Sequence, residues 1–479
     1  MKRILTFMFL VVIMASLSAG TVNYEEAFNV ADFLIQVNGQ DGHAIADVYE
    51  MKNSEGILLS YVFMLEPNGF IATSTDSDIS PVIGYSFRNN FVAEDIWQNV
   101  GYQYLKKDME LRLEAIPFTA EEVKNANSQL WRDYLEENIE SSRDRDEVWP
   151  PEGYSSTGGW VETQWNQSPV PYNTFCPIDP GTQNRCVVGC VATAMAQIIN
   201  YHYHVGDVSF SDSDDYVSQY TSPYIYIDDN YNTYDFPSFP ELNVYLDELK
   251  IAYENHDPLT NDMIAALSFA AGVSVEMGYS SEGSGAYTGD VPYALIYKFD
   301  YDTATLVVSI NATFYNNLKN NMMNAKPVLL GVIESGSPYG HAIVCDGYNQ
   351  TNNTYHLNLG WGGSQDGWYI LPGGMPSGFN VITRAVINIE GGPEPFAVVG
   401  QVIGDNAPIT ETYITLDGPR FYECYVSNAN GQYEIPYVIE GTYQATAIIE
   451  LAGGGYFYKS FEVELTEASH TLIFYLDDY

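Results

Sequence analysis

Basic residues are scarce in this sequence: 19 Lys and Arg stand against 62 Asp and Glu, a formal charge of −43. So few cations argue against nucleic acid and anionic membrane as partners. Charge of either sign is sparse, at 17% of residues against 46% hydrophobic, so most of the 479 residues should fold. That length predicts two to four domains. Long apolar runs are also few. Residues 4–14 form one, preceded by Lys2 and Arg3 and followed by Ser16, Ser18, Ala19 and Gly20, the small residues of an export cleavage site. Residues 1–20 therefore read as a signal peptide, too short for a lasting span, and no other stretch approaches about 18 uninterrupted apolar residues. The expected product is secreted, extracellular or at the cell surface, without a membrane span.

Cysteine is rare too. The five are Cys176, Cys186, Cys190, Cys345 and Cys424, too few for a disulfide scaffold in so long a chain. Their odd number leaves at least one unpaired or joined to another molecule. Cys176 and Cys186 could close a short loop, but sequence does not fix the connectivity. Metal signatures are missing as well. There is no His-Glu-x-x-His, and Cys186-x-x-x-Cys190 has neither a redox nor a zinc spacing. His202 and His204, two apart on a helix, face differently. The stretch with Asp228, Asn230 and Asn232 lacks the glycine of a calcium loop and has Phe239 where a bidentate Glu should stand. No metal and no cofactor is expected.

What is present divides by pattern. Residues 21 to about 140 alternate as an α+β unit: a helix over 24–37, strands near 44–51, 57–65, 69–74 and 81–87, then a helix near 93–113. A last helix should begin at Thr119, with Glu122 at capping-box spacing. Residues 141–158 read as an exposed linker, a place where proteases cut. From 159 to about 390, helical patterns (191–203, 241–250, 261–277, 290–299, 312–324) precede strand patterns (328–334, 341–348, 354–359, 367–371, 382–390), again α+β. Residues 349–353 form a hairpin connection, so His341 and Asn358 should lie on paired or neighbouring strands. A second linker, 391–395, leads to about seven short strands over 396–479, a small β-sandwich with Asn430-Gly431 as a hairpin signal. Attachment, spacing or substrate contact suits it better than chemistry.

The run from Gly189 and Cys190 to Ile199 carries the sharpest chemical signal. Val191, Ala194, Met195 and Ile198 recur at helical spacing, which places Cys190 in the first turn, where free amides and the helix dipole favour a thiolate. A small buried residue or half of a disulfide is the plain alternative. His341 follows Gly340 at the mouth of an apolar strand and suits a general base, although a loop-end histidine reads the same way. His356 is the rival base. Asn358 could fix the imidazole through its amide, or bond only to backbone.

These residues carry a family likeness. Trp165-Asn166-Gln167, Pro171-Tyr172-Asn173 and the Gly189–Ile198 run resemble the start of the streptopain-like cysteine peptidases. Gly340-His341-Ala342 with Cys345-Asp346-Gly347 is similar to their histidine strand, and His356 to Gly363 with Asp366-Gly367 to the segment after it. Residues 21–140, with Gly69-Phe70-Ile71 and Pro81 to Tyr85, resemble the family's inhibitory propeptide; the last 85 or so resemble a carboxypeptidase-regulatory-like sandwich.

The resemblance implies a papain-like peptidase over 159–390, a propeptide over 21–145 acting as the chain's own inhibitor, and protein or peptide substrates. It makes Cys190 the nucleophile, His341 the base, Asn358 the orienting residue and Gln167 an oxyanion donor. Ser281 and Gly283, in the Ser280–Gly285 run, fall near the substrate cleft, with Trp361 shielding the site. Leu359 stands where the family has Trp, and the late glycine-rich loop, residues 375–380, is short. The expected function is a secreted cysteine endopeptidase made as a zymogen. The alternatives are a non-catalytic adhesion or matrix protein on the same fold, and a transamidase using the same dyad.

Overall fold

The computed structural model describes residues 20–476, except Trp97, 139–147, Glu152, 334–339, Ser377, 392–395, 405–406, 419–421, Ser427 and 451–455. The export signal and much of both expected linkers lie outside the described residues.

The N-terminal unit runs α1 (Tyr24–Val37), β1 (Ala44–Lys52), β2 (Leu58–Glu66), β3 (Phe70–Ser74), β4 (Val82–Ser86), α2 (Val100–Ala115) and α3 (Glu121–Leu135). Asn23 and Glu26 close a capping box on α1, satisfying amides that the first turn leaves open. The box expected at Thr119 does not form. Ala120 caps α3 without a side-chain bond, because the Thr119 hydroxyl donates back to the Ala115 carbonyl at 2.9 Å. α2 starts later than its pattern suggested, at Val100, where Asn99 accepts from Tyr102 N–H. Strands β3 and β4 are buried on both faces. Leu105 and Met109 of α2 share one cluster with Val62 and Phe70, while α1 and Trp131 of α3 share another with Phe63 and Ile71.

After β5 (Val148–Trp149) come α4 (Cys190–His202), the small ribbon β6 (Tyr216–Ser218) and β7 (Ile225–Ile227), α5 (Tyr231–Tyr234), α6 (Phe239–Asn255), α7 (Asn261–Ser274) and α8 (Val291–Lys298). Then follow β8 (Thr303–Val307), α9 (Ala312–Met323), β9 (Val328–Ile333), β10 (Gly340–Asn349), β11 (Thr354–Asn358), β12 (Gly367–Tyr369) and β13 (Ile382–Glu390). Of the twelve helices and strands that follow β5 outside the small ribbon, ten match patterns read from the sequence; α5, β8 and the ribbon were not expected. α4 is buried almost all round and packs on α7 and β10.

One antiparallel sheet of eleven strands unites the two units, in the order β1-β2-β3-β4-β12-β11-β10-β9-β13-β8, with β5 on β10. The seam is the pairing of Tyr85 with Trp368 and Gly84 with Tyr369. Beneath it Phe70 and Leu105 share a cluster with Leu330, Ile343, Leu357 and Tyr369. The halves of this sheet therefore share a core.

The C-terminal strands are β14 (Phe396–Gly404), β15 (Ala407–Pro408), β16 (Thr412–Asp417), β17 (Tyr422–Val426), β18 (Gln432–Val438), β19 (Gly441–Glu450), β20 (Tyr456–Leu465) and β21 (Thr471–Tyr475). They make two four-stranded sheets, one with β14, β15, β18 and β21, the other with β16, β17, β19 and β20. Asn430-Gly431 is not a hairpin turn: β17 and β18 lie in different sheets, and the Asn428 carboxamide accepts from the Asn430 and Gln432 amides to turn the chain between them. This region packs on its neighbour through Tyr437, which lies edge-on to buried Trp160 and donates to the Met323 carbonyl.

Candidate active site

Cys190 opens α4. Its N-cap, Gly189, has φ +90° and accepts the first helical bond from Thr193 without offering a side-chain cap, so the first-turn amides are left to the thiol and whatever binds beside it. A Cβ on Gly189 would meet Met277 Sδ at 2.7 Å, so glycine is required by both conformation and space. Cys190 is half-buried, whereas Cys176, Cys186 and Cys345 are buried, and none of the five cysteines is in a disulfide. Burial pushes the Cys186 thiol up to about 12 and those of Cys176 and Cys345 well above the ordinary value. Those three are poor nucleophiles.

Cys190 lines a cleft of about 1270 Å³ together with Gln167, His341 and Trp361. Gln167 is held there because its carbonyl accepts from the Val188 amide at 3.0 Å, two residues before the thiol. Ser281 and Gly283 line the same cleft. Their loop is pinned by Val187 N–H to Ser280 and by the Ser284 hydroxyl to the Val187 carbonyl. The Ser281 hydroxyl is already engaged by Asp179 at 3.0 Å and Thr182 at 2.7 Å. Gln98 and Val100 of the N-terminal unit also face into the cleft.

His341 is 7% exposed, and nothing among the described residues bonds its Nε2. Burial lowers its pKa to about 4, against a smaller opposing contribution from the Leu359 carbonyl, which accepts from the ring. The imidazole is thus neutral in this form, not the imidazolium expected beside a thiolate. With Nε2 unbonded, the donor to Leu359 is Nδ1.

The orienting contact accordingly differs from the one expected of Asn358. Val344 is the β10 residue that pairs with Asn358, so His341 lies three residues beyond, alongside the segment after β11. The Asn358 amide instead donates to the Thr163 carbonyl at 2.7 Å and to Gln197 Oε1 at 3.2 Å, and its oxygen accepts from Gln197 Nε2 and Gly360 N–H, both at 3.1 Å. Gln197 sits two turns beyond Cys190 and also accepts from the Trp165 amide at 2.9 Å. It thereby ties the nucleophile helix to the Gln167 segment and to the residues after β11. Its place within the apolar pattern of α4 gave no sign of this. Trp361 lines the cleft but not the Asn358 amide network; its Nε1 is buried with no partner among the described residues.

His356 is taken elsewhere. Its Nδ1 lies 2.7 Å from Asp346 Oδ1, both fully buried, and Asp346 Oδ2 accepts from the Val161 amide at 2.9 Å. Asp366 is buried near this pair. Burial pushes its carboxyl up to about 7, opposed by the Leu359 amide and by His356. Asp228 and Asn230 serve backbone amides, those of Phe239 and Tyr226, and among the described residues no cluster suited to a metal occurs.

Comparison with known proteins gives this cleft its context. Residues 165–369 match the Peptidase C10 family. The chain is 27% identical over 356 residues to streptopain of Streptococcus pyogenes, covering 69% of this chain and 80% of streptopain. It is 26% identical over 360 residues to the thiol protease/hemagglutinin PrtT of Porphyromonas gingivalis, covering 72% of this chain but only 38% of PrtT. Solved relatives include a prointerpain A fragment of Prevotella intermedia, at 23% identity and TM-score 0.47 over 72% of this chain and 99% of that one. Active interpain A matches at 23% identity and TM-score 0.36, over 50% and 98%. The class is that of cysteine-type peptidases, hydrolases that use a thiol. Within it, the chain is similar to streptopain, and the matched region covers both Cys190 and His341. No helix among the described residues is long and apolar enough to cross a membrane.

Proposed function

We propose that this chain is a secreted endopeptidase made as a latent precursor, hydrolysing peptide bonds through Cys190 and His341 on a papain-like domain over 159–390. One observation carries the reading: Cys190, His341 and Gln167 line a single cleft that also receives Gln98 and Val100 from the N-terminal unit. In the mechanism, Cys190 Sγ attacks the scissile carbonyl carbon as a thiolate. The carbonyl electron pair moves onto oxygen, held by the Cys190 amide and the Gln167 carboxamide. The C–N bond breaks as protonated His341 gives its Nε2 proton to the leaving amine, and an acyl-thioester remains. Water then yields a proton to Nε2 and its oxygen to the acyl carbon, and cleavage of the C–S bond restores the ion pair.

Residues 21–145 act as the chain's own inhibitor. With Gln98 and Val100 in place the imidazole is desolvated and neutral, so the thiolate–imidazolium pair is disfavoured. Removing that unit readmits water and raises the imidazole pKa. An extended peptide then takes the cleft along Gly283 and Trp361, with the Ser281 backbone rather than its engaged hydroxyl. Asn358 supports the histidine segment through Gln197 instead of bonding the ring. The region 396–479 stays attached as an accessory unit, and no cofactor takes part.

Casein digestion against incorporation of a labelled amine tests the reaction. The processed protein should release peptides, and Cys190→Ala should release none. Amine incorporation without net hydrolysis would make it a transamidase, and no thiol-dependent turnover would leave an adhesion protein.

A further inference from the structure

The register that pairs Val344 with Asn358 sets His341 beside the residues that follow β11, where the Leu359 peptide lies. Its carbonyl accepts from the ring, and its amide donates to Asp366 Oδ1 at 2.8 Å. The two groups of Leu359 thus face opposite partners, the imidazole on one side and a buried carboxyl on the other. Leu359 has no polar side chain, and the following residue, Gly360, has φ +72° and stands close to Thr193 of α4. The orientation of that carbonyl therefore depends on what holds the adjoining amide. Asp366 is itself held, fully buried. Its amide donates to the Gly363 carbonyl at 3.2 Å, and its second oxygen is 3.5 Å from Gln164 Nε2.

We propose that Asp366 is a positioning residue for the general base: its carboxyl fixes the Leu359 peptide, and the Leu359 carbonyl fixes the His341 ring. This takes over the task expected of Asn358, whose amide is committed to Gln197 and Thr163. The same short segment also meets the N-terminal unit. Asn89 donates to the Asp366 carbonyl at 3.0 Å, and the Gln365 amide donates to the Asn90 carbonyl at 3.2 Å. Docking of that unit and alignment of the imidazole therefore bear on one turn of chain. The inference rests on His341 being the base.

The test compares Asp366→Asn, Asp366→Ala and His341→Ala in the full chain, each processed with a trace of wild-type protein and each checked for folding by thermal melting. The carboxamide oxygen of Asp366→Asn can still accept from the Leu359 amide, so it should keep kcat within about threefold of wild type. Asp366→Ala should lose kcat by about a hundredfold, the order that misplacing a reacting group costs, with KM changed less than twofold. In 15N spectra of labelled histidine in the unprocessed Cys190→Ala precursor, where the imidazole is neutral, the Nδ1–H form of His341 should persist in Asp366→Asn and be lost in Asp366→Ala. A folded Asp366→Ala with wild-type kcat and an unchanged His341 signal overturns the proposal. So does Asp366→Asn failing as badly as Ala while equally well folded. If His341→Ala itself keeps activity, the reading of His341 as base fails first, and that result is distinguishable from the others.

Discussion

At the scale of single residues, burial decides which groups can do chemistry. Three thiols are held protonated by their surroundings, while half-buried Cys190 lies in the cleft. The same physics lowers the pKa of the His341 imidazole. Its pKa of about 4 lies below the ordinary 6.5, so between those values the unfolded chain binds the extra proton and folding stability rises with pH. The contribution is complete above about pH 6.5 and disappears as pH falls through 4; its size is about 3 kcal/mol. Asp366, raised to about 7, acts in the opposite sense, its contribution being present below about pH 4 and lost as pH rises through 7. In a Cys190→Ala precursor, urea unfolding at pH 4.5 and pH 7 should therefore show His341→Gln losing stability gain on the alkaline side. Equal pH dependence with and without His341 contradicts a buried neutral imidazole. Cys190 and His341 stood out as residues because few side chains offer thiol or imidazole chemistry, whereas Gln167 entered only through the family resemblance. Leu359 and Asp366 were not read as His341's supports, because a backbone carbonyl has no residue type to betray it and Asp366 stood out only as part of a family-like segment.

At the scale of elements, period and punctuation carried far. The α4 and β10 patterns placed Cys190 and His341 at the starts of their elements. Side-chain bonds that compete for one hydroxyl did not show in spacing, which is why the Thr119 box failed. Nor did the partner of α2. Its Arg112 pairs with Asp108 at 2.7 Å, 8% and 1% exposed, and donates across the seam to the Ile370 carbonyl at 2.7 Å. Arg112→Ala strands a buried carboxylate, a change that costs about 3–5 kcal/mol. The expected result is a less stable precursor that is processed sooner; time courses of processing beside chemical unfolding check it. Unchanged stability and timing contradict the role given to this pair.

At the scale of the whole molecule, the unexpected feature is the continuous sheet. Pairing of β4 with β12 joins residues nearly three hundred positions apart, and strand edges carry no local sign of their partner. From Val148 the chain is engaged, since β5 pairs with β10 and Trp149 stacks on Tyr348. Tyr154 and Trp160 continue into contact with Tyr422 and Tyr437 of the C-terminal region. Processing that leaves this framework intact should fall at or before Val148, nearer the start of the expected linker than its end. N-terminal sequencing of the mature product checks this, and a first residue beyond Trp160 contradicts it.

The most direct measurement is active-site titration of the processed protein with a thiol-directed irreversible peptidase inhibitor, followed by peptide mapping. The account predicts one equivalent bound, all of it on Cys190, with labelling slowed at least tenfold in His341→Ala and in the unprocessed precursor. Adduct on another cysteine, or labelling of Cys190 at the same rate without His341, contradicts it.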